Sequence, residues 1–127
     1  MNTREHFKRV QETVLNAPHV IQSNLNFDEI SQSECYINGS LVLSGGNELH
    51  IAEYVVTEQD ILRLKYRYHL QTTEKEFLAR RDNAPRHREI KTHPNHLHLS
   101  DGRVKSSPEM SIEQVLFAIL PFLDANN

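Results

Sequence analysis

Ile61-Leu62-Arg63-Leu64-Lys65-Tyr66-Arg67-Tyr68-His69-Leu70-Gln71 alternates apolar and polar residues along its length. A period of two is the mark of a strand with one packed face. It puts Leu62, Leu64, Tyr66, Tyr68 and Leu70 on one side, and Arg63, Lys65, Arg67, His69 and Gln71 on the other. The rest of the chain is read outward from this strand.

Upstream, the same period recurs. Leu25, Phe27 and Glu29 share one face of a first strand, Cys35, Ile37, Gly39, Leu41 and Leu43 alternate in a second, and Leu49, Ile51, Glu53 and Val55 in a third. Ser44-Gly45-Gly46-Asn47 lies between the last two, a hairpin turn with two residues free to take positive φ. Glu53, in phase with its apolar neighbours, is expected to point inward, where a carboxylate needs a partner. Before the strands, Phe7, Val10 and Val14 fall on one face of a helix over 3–16, with Thr3 as its expected N-cap.

Downstream, Thr72-Thr73-Glu74-Lys75 turns the chain into a fifth strand over 76–82. Phe77 with Ala79, or Leu78 with Arg80, are its competing in-phase sets. Pro85 has no N–H for a ladder, so pairing ends there, and 84–95 form an irregular loop. His96 to Leu99 forms a short strand, followed by a turn at Ser100-Asp101-Gly102-Arg103. Ser111 and Gln114 form a capping box before a final helix, which Pro121 kinks or shortens. Its stripe of Ile112, Val115, Leu116, Ile119, Leu120 and Leu123 is core, and it also allows a homodimer contact. No helical segment separates the strands, so the class is α+β: an N-terminal helix, an antiparallel sheet of about five or six strands, and a C-terminal amphipathic helix. The 127 residues are expected to form one domain.

Composition narrows the setting. The longest apolar runs are a few residues, far short of a membrane span, and the N-terminus has no apolar signal region, so the expected location is the cytoplasm. The single cysteine, Cys35, fits a reducing compartment and sits in phase with core residues. The net charge of −3 is unevenly spread: −6 over 1–60, +6 over 61–105 and −3 over 106–127. A local positive field of this kind attracts polyanions.

The basic segment contains Arg80-Arg81-Asp82-Asn83-Ala84-Pro85-Arg86-His87 and Thr92-His93-Pro94-Asn95-His96-Leu97-His98. These residues titrate near neutral pH, bind phosphate or ligate metals, and three chemistries compete for them. Metal-free RNA cleavage needs a base for the ribose 2′-hydroxyl, an acid for the leaving 5′-oxygen and positive charge on the phosphate. His69, His87, His96 and His98 suit the first two, Arg80 and Arg86 the third, and Asp82 the orientation of a histidine, with Asn83 fixing the loop. Arg63, Lys65, Arg67 and Tyr68 are the expected substrate contacts on the neighbouring strand. A metal-dependent hydrolase would use His96 and His98, which share a strand face, completed by His93, His87 or Asp82. A non-catalytic module would hold nucleic acid or an acidic protein on the same basic surface. The leading reading uses no metal and no cofactor.

These segments, with Leu49-His50-Ile51-Ala52-Glu53 and the final helix, resemble the TumE family of toxin–antitoxin toxins over about 35–123. The family usually carries two adjacent histidines after Ala-Pro and a Pro-His-His-x-His segment. Here Arg86 and Asn95 stand at one histidine of each, while His69, His87, His96 and His98 keep the matching positions. The resemblance implies a toxin neutralised by direct contact with a helix-turn-helix antitoxin encoded nearby. It does not specify the target. RNA as the substrate is an inference from the residue types.

Overall fold

The computed structural model describes residues 1–124. Helix α1 (Thr3–Asn16) is followed by seven strands: β1 (Val20–Glu29), β2 (Glu34–Leu43), β3 (Glu48–Val56), β4 (Leu62–Gln71), β5 (Phe77–Asp82), β6 (His96–Leu99) and β7 (Val104–Ser106). Two short helices, α2 (Ile112–Ala118) and α3 (Leu120–Asp124), come last. All neighbouring strands are antiparallel and follow chain order, β1 through β7. The class is α+β, as the periodicity indicates. The seventh strand is the three-residue β7, too short to show a period.

The helices cover one face of the sheet. Val10 and Val14 of α1 and Ile112, Val115 and Leu116 of α2 pack with Ile37, Leu41, Leu49, Ile51, Tyr68 and Leu70 in one core. The apolar stripe of the C-terminal segment is thus buried within the chain. Pro121 falls in α3, after the break between the two helices. The N-cap of α1 is Asn2, whose side chain accepts from the Glu5 N–H. Thr3 lies inside the helix, and its buried hydroxyl donates to the Ser31 carbonyl at 2.9 Å. The Gly45-Gly46 hairpin turn forms with positive φ at both residues.

Of three register shifts, one at Ile21 in β1 and two farther along, the latter two set which residues face out around the basic segment. In β4, Tyr54 pairs with Lys65 but Val55 pairs with Arg63, so Leu64 is the extra residue. The phase reverses there: Leu62 and Leu64 become exposed, and Arg63 turns to the helix side. The expectation that Arg63 shares a face with Lys65 and Arg67 is therefore corrected. In β5 the register slips at Leu78, between the pairs Leu70–Ala79 and Gln71–Phe77. Neither expected set holds intact: Ala79 and Leu78 pack on the core, while Phe77 shares the open face with Arg80.

Candidate functional site

Cross-strand partners share a sheet face, so the register assembles the open face row by row. One row runs from His98 on β6 through Arg80 on β5 and His69 on β4 to His50 on β3. The next runs from His96 through Asp82 to Arg67. Four of the basic segment's key side chains thus meet on two adjacent strands.

Asp82 is the hub. Its Oδ2 accepts from Arg80 Nε at 3.0 Å and lies 3.8 Å from His98 Nε2; its Oδ1 accepts the Ala84 N–H at 3.1 Å and lies 2.9 Å from His96 Nε2. The His96 ring is 1% exposed. Its Nδ1 is 2.7 Å from the Pro94 carbonyl, an acceptor only, so Nδ1 carries the proton. Nε2 is close to Oδ1 but out of hydrogen-bond alignment, and it is buried without a hydrogen-bond partner. The rings of His87, His96 and His98 meet edge to face, with centroids 4.6 to 5.5 Å apart. His87 is held there by a left-handed backbone with φ of 56°, costly for a side-chain-bearing residue.

The loop between β5 and β6 is anchored by Asn83. Its side chain accepts the Tyr66 N–H at 3.0 Å and donates to the Leu64 carbonyl at 3.1 Å, in the manner of one more strand residue. Farther on, Asn95 accepts from the Tyr66 hydroxyl at 2.7 Å, and the Thr92 hydroxyl donates to the Asn95 carbonyl. Together these leave a cleft of about 620 Å³, lined by Lys65, Arg67, Arg80, Asp82, Arg86 and His98 among others.

His69 stacks on Phe77 with centroids 5.3 Å apart, beside Arg80 in its row. Burial pushes its imidazole below the ordinary value, and the charges of Arg80 and Arg67 add to this. Burial and then Arg80 also push His98 down, while Asp82 works in the opposite direction.

Of the expected site residues, His69, Arg80, Asp82, His87, His96 and His98 gather on this face, and Lys65, Arg67 and Arg86 border it. Arg63 and Tyr68 lie on the opposite face, around Glu53. Tyr68 is 2% exposed and its hydroxyl donates to Glu53 Oε2 at 2.5 Å, so it does not reach the cleft. Arg63 Nε donates to the same oxygen at 3.1 Å, and His6 Nε2 is 3.1 Å from Oε1. Burial alone would raise the Glu53 pKa, but His6, Arg63 and Tyr68 outweigh it and hold the carboxyl below its ordinary value. His6 is absent from the expected set, although its spacing of four and eight to Val10 and Val14 puts it on the buried stripe. Cys35 is fully buried, which pushes its thiol up to about 11 and leaves it inert as a nucleophile.

Asp82, His96 and His98 are also a group able to hold a metal: one ligand atom from each lies within 4.8 Å of the others. A family model described as Toxin TumE matches residues 9–126. No curated protein and no solved structure matches the chain.

Proposed function

The chain belongs to the TumE toxin family, the toxin component of a toxin–antitoxin module, and on that premise we propose that it arrests growth by cleaving RNA without a metal. The observation that carries this reading is the row His69–Arg80–His98 on an open, basic sheet face. Arg80 holds the phosphate, and an imidazole stands on each side of it. Strands are about 4.8 Å apart, so the two rings sit about 10 Å from each other across a group that fits between them.

The roles follow from the surroundings. Burial, with the charges of Arg80 and Arg67, keeps His69 neutral near pH 7, which suits the base that takes the 2′-hydroxyl proton. Burial and Arg80 lower the His98 pKa overall, but His98 alone of the pair has a carboxylate beside it, Asp82 at 3.8 Å, to oppose that lowering, and on this ground it is assigned as the acid that protonates the leaving 5′-oxygen. The attack forms a bond from the 2′-oxygen to phosphorus and breaks the bond to the 5′-oxygen, leaving a 2′,3′-cyclic phosphate and a 5′-hydroxyl. Arg80 offsets charge on the pentavalent phosphate. Asp82, itself held by the Ala84 N–H, positions Arg80, and Asn83 holds the loop. Lys65, Arg67 and Arg86 steer the strand into the cleft.

A helix-turn-helix antitoxin is the proposed partner, and the cytoplasm the place of action. No helix among the described residues is long and apolar enough to cross a membrane. A homodimer through the C-terminal stripe is not proposed, because that stripe is spent in the core.

The test is purified chain with total RNA and with an oligonucleotide carrying one 2′-deoxy substitution at the cleaved step. Cleavage of the first, and none at the substituted step, is expected. His69→Ala and His98→Ala should each lower the rate by about 10²-fold or more and leave the melting temperature nearly unchanged. Intact RNA with growth arrest persisting would defeat the proposal.

A further inference from the structure

We infer that Asp82, His96 and His98 form a binding site for a divalent transition-metal ion of the zinc class. Two observations converge on it. With its proton committed to Pro94 at Nδ1, His96 turns the lone pair of Nε2 into the cluster, where it is buried and lacks a hydrogen-bond partner. That lone pair faces an anionic oxygen at 2.9 Å. Two electron-rich atoms so placed call for a positive centre between them, a proton or an ion.

The spacing fits an ion. Zinc takes tetrahedral ligands at about 2.0–2.1 Å, which sets neighbouring ligand atoms about 3.3 Å apart. His96 Nε2 is 2.9 Å from Asp82 Oδ1 and His98 Nε2 is 3.8 Å from Asp82 Oδ2, and one ligand atom from each of the three residues lies within 4.8 Å of the others. Binding an ion draws these atoms together. The supports around the ligands are those a metal site uses: a carbonyl on the far nitrogen of His96, and N–H donors from Ala84 and Arg80 on the carboxylate. The His87 ring lies beside the group, with its centroid 5.4 and 5.5 Å from those of His96 and His98, and water completes the coordination. Two imidazoles and one carboxylate select zinc, cobalt or nickel over magnesium or calcium. The Arg80 charge beside Asp82 weakens the hold, so the ion exchanges and is not a structural fixture.

The consequence rests on the RNA-cleavage reading. An ion on Nε2 of His98 occupies the position from which the acid delivers its proton. A filled site is therefore a silenced toxin, and zinc acts as a reversible brake.

The experiment titrates chelator-stripped full chain with cobalt chloride, followed by visible absorption, then displaces the cobalt with zinc chloride. RNA cleavage is assayed in parallel. One equivalent should bind with a tetrahedral spectrum. His98→Ala and His96→Ala should each weaken it about tenfold or more, and His93→Ala, at an exposed loop position, should not. The half-buried His98 is the variant to rely on if His96→Ala unfolds. Zinc should suppress cleavage and a chelator should restore it. No binding, or equal binding in every variant, overturns the metal site and leaves the ribonuclease reading standing. Binding with cleavage that requires the ion keeps the site and overturns the metal-free mechanism. Binding with no cleavage under any condition keeps the site and overturns the ribonuclease.

Discussion

The sheet carries a carboxylate-centred network on each face, built from the same residue types. On the helix side, Glu53 is fully buried and meets His6, Arg63 and Tyr68. On the open side, Asp82 meets Arg80, His96, His98 and a backbone N–H beside a cleft. The difference is saturation and access. Both oxygens of Glu53 have donors, and the helices seal them from reagents. Around Asp82, His96 and His98 come close without forming a hydrogen bond to the carboxylate, and one face is open to solvent. The comparison teaches that a cluster of titratable groups becomes a pillar when every valence is used, and a site when some are not.

The strongest way to break the comparison is to truncate both carboxylates. Glu53→Ala leaves Arg63 with only the half-exposed Glu109 as counter-charge and strips His6 and Tyr68 of their shared acceptor, and should cost about 3 kcal/mol of stability, read by denaturant unfolding. Asp82→Ala should cost less, because Arg80 is partly open to water, and should abolish cleavage. Equal losses of stability would erase the distinction. The Glu53 contribution has a definite sign with pH. Its folded pKa is lowered, so the stability is present above the ordinary carboxyl value and is lost as pH falls through the folded value. Wild type and Glu53→Gln should therefore converge in stability in strong acid.

A smaller effect sharpens the open side. His69 and His98 both titrate below the ordinary histidine value, so kcat/KM should peak on the acidic side of about pH 6.5. Arg80 helps push both down. Arg80→Met, besides slowing the reaction, should move the whole bell to higher pH. A bell that stays in place would remove Arg80 from its seat between them.

The smallest effect concerns His87. Its φ of 56° is a conformation glycine adopts freely. His87→Gly should leave stability unchanged or raise it by up to about 1 kcal/mol, whereas His87→Ala keeps the strain. If both variants destabilise alike, the ring and not the backbone holds the loop.

Much of this was legible in the sequence, for stated reasons. Alternation places Glu53 inward because Leu49, Ile51 and Val55 flank it in phase, and it puts His69 beside the basic segment. Arg63 was not legible, because leucine at 64 is compatible with either face and nothing marks it as the extra residue of a bulge. Tyr68 stands in phase with Leu70, so its burial was there to read, but an aromatic residue within a basic motif invites a stacking role. His87 depends on a backbone angle that no residue pattern announces. The His96 orientation depends on the Pro94 carbonyl, which is equally silent in a string of side chains.

The bulge at Leu64 has a genetic consequence. Leu64 is half exposed, and its removal would join Arg63 directly to Lys65 in an unbroken alternation, with Arg63 still facing Glu53 and Lys65 still facing out. What disappears is the carbonyl that Asn83 holds. A one-codon deletion there should yield a well-folded protein in which Asn83 keeps the Tyr66 N–H and loses its second anchor, with toxicity reduced. Screens for survivors of toxin expression are expected to recover this in-frame deletion among alleles that accumulate to normal levels, apart from the Glu53 changes that survive by failing to fold.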